Sequence, residues 1–309
     1  MNANRFDLSL LRVFVAVFET RSVSAAAERL LLTQPTISYG LSKLRHIFED
    51  PLFTRAAQGM MPTALAERLY IEFSAGLNQI LSAVESAHGF DERTSERRFR
   101  IAMSELGEVL FLPSLLEHVR LKAPQVEIEI VQSLVADLAD QLANGQVDAV
   151  VGGNLQFPRA QTQSITLFTD RYVSLLRRDH PGIGRKLSLD QFLDAQHVHV
   201  ASMYSWHHQV DSVLRSLGAA RKISVQLARF ISLPYIIART DLLVTLPSSV
   251  ARVLVEAHGN LKMVELPVAM PTFDVCLYWH ERHQANSANR WLRTVIHDVL
   301  RDRVVSRMR

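Results

Sequence analysis

A single cysteine, Cys276, stands in a chain of 309 residues. That count excludes an intramolecular disulfide framework, and no metal motif surrounds the thiol, which is expected to sit in a core. Net charge is low as well, at +3, so a strong basic field is absent and any affinity for nucleic acid must come from local placement of charge. No apolar run is long enough to span a bilayer, and Arg5, Asp7 and Arg12 interrupt the apolar core that a secretory signal needs. A cytoplasmic protein without a membrane partner is expected. Gly152-Gly153 is no dinucleotide fingerprint, since its further glycines and a P-loop lysine are missing, and no G-x-S-x-G supports a hydrolase. His197, His199, His207 and His208 fall close together, but no cysteine or carboxylate accompanies them at a metal-ligand spacing. No metal, no cofactor and no catalysis are therefore expected. What the chain does have is apolar content, 48%, enough to build two or three cores.

The run Ser22-Val23-Ser24-Ala25-Ala26-Ala27-Glu28-Arg29-Leu30, followed by Thr33-Gln34-Pro35-Thr36-Ile37-Ser38, reads as two short helices with a tight connection. The alanines let a neighbouring helix approach closely. Thr33 can cap free N–H groups, and Pro35 falls in the first turn, where its missing N–H costs nothing. Ile37, Leu41, Leu44 and Phe48 recur at steps of four, three and four, which puts them on one inward stripe. The remaining arc carries Gln34, Ser38, Tyr39, Ser42, Lys43 and Arg45, with no acid before Glu49. A major groove suits such a surface: amides and guanidinium groups read base edges, while hydroxyls and lysine hold phosphates. Ser24, Thr33, Pro35 and Thr36 complete the candidate DNA-binding set at the mouth of the turn. An ordinary helical hairpin with a solvated outer face is the alternative, and the flanks weigh against it. Leu8, Leu10, Leu11, Phe14, Val17 and Phe18 form a third amphipathic helix ahead of the pair. After it, Asp50 to Arg55 is extended, Gln58-Gly59 turns, and Met60 to Thr63 runs back as a short β-wing, with Arg55 and Gln58 facing phosphates or a minor groove.

The order of SVSAAAERLLLTQPTISYGLSKLRHIFEDPLFTR and then MMPTALAERL resembles the N-terminus of LysR-type transcriptional regulators. The stretch TSERRFRIAMSELGEVLFLPSLLEHV is most similar to the branch of nodulation and salicylate-responsive aromatic-catabolism regulators. From Thr63 to about His88, Leu65, Leu69, Phe73, Leu77, Ile80 and Val84 follow helical steps, a stripe expected to pack against the same helix of a second chain. Asp91 to Arg98 is a charged hinge.

Beyond the hinge, strand and helix alternate. Strands are expected at 99–103, 126–131 and 147–151, then 172–176, 198–201, 223–227, 242–246 and 273–278. Helices are expected at 110–121, 134–143, 189–193, 209–217, 231–239, 248–257 and 289–301. The alternation implies a mainly parallel sheet covered by helices. The resemblance implies two α/β lobes joined by two crossovers, placed near Thr166 to Arg171 and Pro267 to Phe273, like a periplasmic solute-binding protein, with the last strand and helix returning to the first lobe. The expected division is a winged helix-turn-helix at 1–62, a linker and dimerisation helix at 63–90, a hinge at 91–98 and an effector domain at 99–309. Within the effector domain, lobe 1 takes 99–167 and 268–309 and lobe 2 takes 168–267.

Ligands of two-lobed sheet proteins bind at the carboxyl ends of the strands. Strand ends place Ser104 and Glu105, Gly153 and Asn154, and Ser202 and His207 at such a cleft, with Phe230, Tyr204 and Trp206 as aromatic walls or as ordinary core and surface packing. The resemblance puts equivalents of Ser104, Arg171, His207, Ser249 and Tyr278 around the effector. Arg171 stands where that branch carries an imidazole and Ser249 where it carries a guanidinium, which moves one positive charge across the pocket and keeps an aromatic carboxylate as the candidate ligand. The reading that results is a DNA-binding transcription regulator controlled by a small effector. Its expected partners are double-stranded DNA, a second copy or a tetramer through the linker helix, and RNA polymerase. A solute-binding protein using the same cleft is one alternative, and the N-terminal DNA motif with the interrupted signal core argues against it; an enzyme is the third reading, which turnover of a small anionic aromatic would have to support.

Overall fold

The computed structural model describes residues 7–153, 155–157, 161–200 and 207–308, except the side chains of 82–83, 85–88, 207–208 and 302–308. The chain divides into two compact units, Met1–Gly89 with Asn144–Gln146, and Phe90–Ala143 with Val147–Arg309.

The first unit opens with α1 (Ser9–Thr20), α2 (Val23–Leu30) and α3 (Gln34–Phe48). Ser22 accepts the Ala25 N–H and Thr33 the Thr36 N–H, so the hydroxyls close the free N-terminal turns of α2 and α3. The helices end on Arg21, Leu31 and Glu49, each with φ between 53° and 55°, a left-handed reversal that turns the chain without glycine. Phe14, Ile37, Leu41 and Leu44 are sealed in the core with Ala26 and Ala27. Strands β1 (Phe53–Ala56) and β2 (Gly59–Pro62) pair antiparallel as a wing. Gly59 is obligatory there: its φ is +106°, and a Cβ would lie 2.6 Å from the Arg21 carbonyl oxygen. That carbonyl accepts the Met60 N–H at 2.8 Å, tying the wing to the end of α1.

Helix α4 (Ala64–His88) starts on Thr63, whose hydroxyl caps Ala66 N–H and donates to Asp50. Leu65, Leu69, Phe73 and Leu77 do not form a free stripe; they pack on the core of α1 to α3, with the Phe73 ring 5.3 Å from Phe14 and edge-on to it. A three-helix core this small exposes one side of Phe14, and the first half of α4 covers it. The large apolar side chains that α4 leaves exposed include Ile71, Ile80 and Leu81.

The second unit holds two main sheets. The first has the order β4-β3-β5-β12-β6, built from β3 (Arg98–Met103), β4 (Glu127–Val131), β5 (Ala149–Gly153), β6 (Thr162–Asp170) and β12 (Phe273–His280). Strands β3, β4 and β5 are parallel, joined through α5 (Glu105–Lys122) and α6 (Leu138–Asn144), while β12 runs antiparallel to β5 and β6. The second sheet is β10-β7-β11, from β7 (Tyr172–Arg177), β10 (Val244–Pro247) and β11 (Leu261–Glu265), with both neighbours antiparallel to β7. A parallel pair, β8 (Gln196–Val200) and β9 (Lys222–Leu227), bridges to it at His197 and Leu243. Helices α7 (Leu189–Asp194), α8 (His207–Ser216), α9 (Leu233–Ile237), α10 (Ser248–Ala257) and α11 (Ser287–Met308) complete the unit.

The expected mainly parallel order therefore holds only for β3, β4, β5 and the β8–β9 pair. β7 misled because it contributes to two apolar clusters and is buried along nearly its whole length, so its continuous apolar run reports covering on both faces and not strand direction. Strand β6 occupies the segment expected as a crossover: the chain leaves the first sheet at Asp170 and enters the second at Tyr172, with Arg171 alone between them.

Candidate DNA-reading face and ligand cavity

On α3 the sequence stripe is inward as its spacing requires, which leaves Gln34, Pro35, Thr36, Ser38, Tyr39, Ser42 and Lys43 exposed together. Thr33 and Thr36 hydroxyls share a hydrogen bond of 2.8 Å at the helix entrance, and Ser24 is exposed on α2. Lys43 lies over the Tyr39 ring, 4.7 Å from its centroid, which holds the ammonium on the outer face. Arg55 is exposed on β1. Arg45 behaves differently from its neighbours. Its Nε donates to the Pro51 carbonyl at 2.8 Å and its Nη2 to the Phe53 carbonyl at 3.3 Å, so the side chain fastens α3 to the base of the wing.

In the second unit a cavity of about 450 Å³ opens between the two sheets. Its walls are largely apolar: Leu106, Leu110 and Phe111 of α5, Val151 of β5, Phe273 and Val275 of β12, and Val250 of α10. Ser104, Gly153 and Ser249, three of the expected effector residues, line it. Ser104 caps α5 by accepting the Gly107 N–H, so its own hydroxyl proton remains for a ligand. Gly153 matters for space, because a Cβ there would come within 3.0 Å of the Phe273 ring.

Other expected residues lie elsewhere. The Arg171 side chain turns to Glu265, forms an ion pair with it and is 46% exposed. Glu105 accepts the backbone N–H of Phe230 at 3.0 Å and a bond from Arg229 at 3.2 Å, and Phe230 packs into the apolar cluster around β7. Tyr278 packs against Phe157 and borders an adjacent depression, which shares Leu155, Gln209 and Phe273 with the main cavity. Burial pushes its phenol up, followed by the neighbouring Cys276. Asn154, Ser202, Tyr204 and Trp206 are outside the described residues, as is the side chain of His207, whose backbone begins α8.

Sequence reasoning missed the polar floor of the cavity: Asp170, Tyr172 and Gln209. The Tyr172 hydroxyl donates to Gln209 Oε1 at 2.8 Å, and its ring stacks on Phe273 at 4.8 Å. Burial, and then the charge of Asp170, push the Tyr172 phenol up, which keeps the donor in place. Asp170 sits at the carboxyl end of β6, the position from which sheet proteins offer ligand groups, and it went unread because β6 itself was not foreseen. Among the described residues no group of three or more His, Cys, Asp or Glu could hold a metal ion. No helix there is long and apolar enough to cross a membrane.

Two family models match the chain: "Bacterial regulatory helix-turn-helix protein, lysR family" over residues 8–67 and "LysR substrate binding domain" over residues 92–301. The HTH-type transcriptional activator NahR of Pseudomonas putida is 36% identical over 98% of this chain and 100% of that protein. Among solved structures, a probable transcriptional regulator from Pseudomonas aeruginosa superposes with a TM-score of 0.80 at 31% identity, covering 95% of this chain and 97% of that one. CbnR, a full-length LysR family protein solved with its target DNA, shares the fold with a TM-score of 0.67 at 15% identity, over 96% of this chain and 99% of that one. The matched models span both the DNA-reading unit and the cavity-bearing unit, and the relatives are regulators, not enzymes. The chain belongs to the LysR family of bacterial helix-turn-helix proteins, as a DNA-binding transcription regulator with an effector-binding domain.

Proposed function

We propose that α3 enters a major groove with Gln34 and Ser38 toward base edges, while Lys43 and Arg55 grip phosphates on either side. The observation that supports this most directly is the segregation on α3, where the apolar side chains are buried and the polar and cationic ones share one exposed face. Arg45 acts in this scheme by setting the angle of the wing and does not read bases. A small molecule held in the cavity between the sheets biases the arrangement of two lobes, whose boundary falls at Arg171 and not at the expected 167/168 because β6 stays paired to β12 through Asp170, and the hinge 91–98 passes that bias to the linker helix 63–90 and the DNA-binding residues 1–62.

The working assembly is a dimer or tetramer in the cytoplasm that contacts RNA polymerase when bound upstream of a promoter. Ile71 and Leu81 of α4 are the apolar groups that a second copy would cover. The effector is small and mostly apolar to match the walls. The aromatic carboxylate implied by the resemblance is not retained, because the charge on the described wall is that of Asp170.

Footprinting on the intergenic DNA upstream of the protein's own gene, against scrambled competitor and with a panel of small aromatic compounds, tests the proposal. A protected stretch that competitor leaves intact, and that shortens or shifts with one compound, is expected. Equal affinity for cognate and scrambled DNA would reject it. Ile71→Asp with Leu81→Asp should lower the sedimenting mass, and an unchanged mass would reject that interface.

A further inference from the structure

The cavity carries its own anion, and the way that anion is held identifies what can share the space with it. Helix α10 opens on Pro247, which offers no side-chain cap. The missing cap comes from the end of β6: Asp170 Oδ1 accepts Ser248 Oγ at 2.6 Å and Arg171 N–H at 2.7 Å, and Oδ2 accepts Ser249 Oγ at 2.5 Å and Ser249 N–H at 3.3 Å. A carboxylate has about four lone-pair sites, so these four bonds fill it. Asp170 is only 2% exposed, and it occupies the positive end of α10, where an incoming anion would otherwise be stabilised. No lysine or arginine lines the cavity among the described residues, and Arg171, next to the carboxylate in sequence, spends its guanidinium on Glu265.

We propose that this regulator senses an uncharged small molecule, an apolar or aromatic body with one neutral hydroxyl- or amide-type group, and that Asp170 is the residue that rejects carboxylate ligands. The proposal rests on the cavity being the effector site. The apolar body fills the space between Leu110, Phe111, Val250 and Phe273, and the polar handle meets the Ser104 hydroxyl and the Tyr172–Gln209 pair. Because the Tyr172 proton is already donated to Gln209, its oxygen accepts from a ligand hydroxyl, while the Gln209 amide nitrogen donates. Asp170 needs nothing from the ligand, so its effect is exclusion. Any carboxylate confined to this cavity lies within about 6 to 10 Å of it, where like charges at an effective dielectric of about 20 cost roughly tenfold to a hundredfold in affinity.

Benzamide and benzoate have nearly the same shape and differ by one charge, and isothermal titration of the full-length protein with both tests the proposal. At pH 7.5 benzamide should bind at least about tenfold more tightly than benzoate. As pH falls from 7.5 to 5.5 benzoate should gain roughly twofold to sixfold, with proton uptake that is small at pH 7.5 and grows toward pH 5.5, since the same tenfold to hundredfold cost is the factor by which the complex binds a proton more tightly than its free components. This second measurement uses the wild type, so it stands even if a variant at Asp170 fails to fold. Asp170→Asn should bring benzoate to within a few-fold of benzamide, and Leu110→Trp should abolish binding of both. Benzoate bound at pH 7.5 as tightly as benzamide, without proton uptake toward pH 5.5 and still blocked by Leu110→Trp, would overturn the ligand class and leave the cavity as the effector site. Binding of both probes unchanged by Leu110→Trp would overturn the cavity reading and this inference with it. No binding of benzamide at millimolar concentration would also overturn the inference.

Discussion

Replacing Glu105 with alanine should loosen the tie between the two sheets of the second unit, and the geometry sets the size of the effect. Glu105 begins α5, which follows β3 of the first sheet, and its carboxylate reaches Phe230, whose ring lies in the cluster around β7 of the second. The bond from the Phe230 N–H, 3.0 Å long, is charge-assisted and worth about 1.5 to 3 kcal/mol. The pair with Arg229 adds at most about 1 kcal/mol, because that guanidinium is 70% exposed and screened by water. Glu105 is itself 34% exposed, which places the whole near the lower end. Amide hydrogen exchange at Phe230 reads the opening directly, without any ligand. Protection should fall by roughly tenfold to thirtyfold in Glu105→Ala, from a loss of about 1.5 to 2 kcal/mol. A double-mutant cycle with Arg229→Ala should return a coupling below about 1 kcal/mol, which leaves the larger share to the Phe230 amide. Protection within a factor of about two of the wild type would refute the tie. A coupling that accounts for the entire loss would refute its assignment to the backbone bond.

Gly59→Ala should destabilise the first unit by more than about 1 kcal/mol, since φ of +106° and a Cβ 2.6 Å from the Arg21 carbonyl both oppose it; thermal unfolding measures this, and an unshifted midpoint would count against the wing geometry. Arg45→Ala and Arg55→Ala should weaken DNA binding in distinguishable ways. Loss of Arg55 should reduce the slope of log affinity against log salt by about one with stability unchanged. Loss of Arg45 strips bonds from the Pro51 and Phe53 carbonyls and should cost stability of about 1 to 2 kcal/mol with the slope kept. His197 is buried, with Nε2 at 2.7 Å from the Phe192 carbonyl, and burial brings its pKa down to about 4 from the ordinary 6.5. The unfolded chain therefore binds a proton between those values and the folded one does not, so stability is full above pH 6.5 and is lost as pH falls toward 4. Urea midpoints followed from pH 7 to 4.5 should show that loss, and His197→Gln, which keeps a donor for Phe192, should shrink it and leave the share of His283, whose pKa burial also brings down to about 4.

How much of this was legible follows from which forces act locally. The first unit is written in short-range signals: Ser22, Thr33 and Thr63 cap the helices that follow them, and the spacing of Ile37, Leu41 and Leu44 fixes the inward face of α3. Even there, a contact distant in sequence overrode the local pattern. The stripe of Leu65, Leu69 and Phe73 is helical and apolar as read, yet periodicity does not say which surface covers it, and the surface it packs on is the open side of Phe14 in the same chain. Arg45 shares the exposed arc by sequence spacing and is drawn off it by two carbonyls of the segment that the wing brings alongside.

The ligand site depends on long-range pairing, and its sequence signals are correspondingly weak. β6 reads as polar because most of its first half is exposed, and what makes it a strand is the ladder to β12, more than a hundred residues away in sequence, from Phe273↔Asp170 to His280↔Thr162. With β6 unrecognised, Asp170 went unread and Arg171 was the charge expected to face the ligand. Pairing along β12 and β7 fixes where each stands: the strand ends on Asp170, the next sheet starts on Tyr172, and the carboxylate is carried to the bare start of α10 while the guanidinium pairs with Glu265 and is half exposed. The charge of this site is thus set by strand pairing, because a slip of β6 by one position would turn the Asp170 carboxylate to the opposite face of the sheet and away from the start of α10.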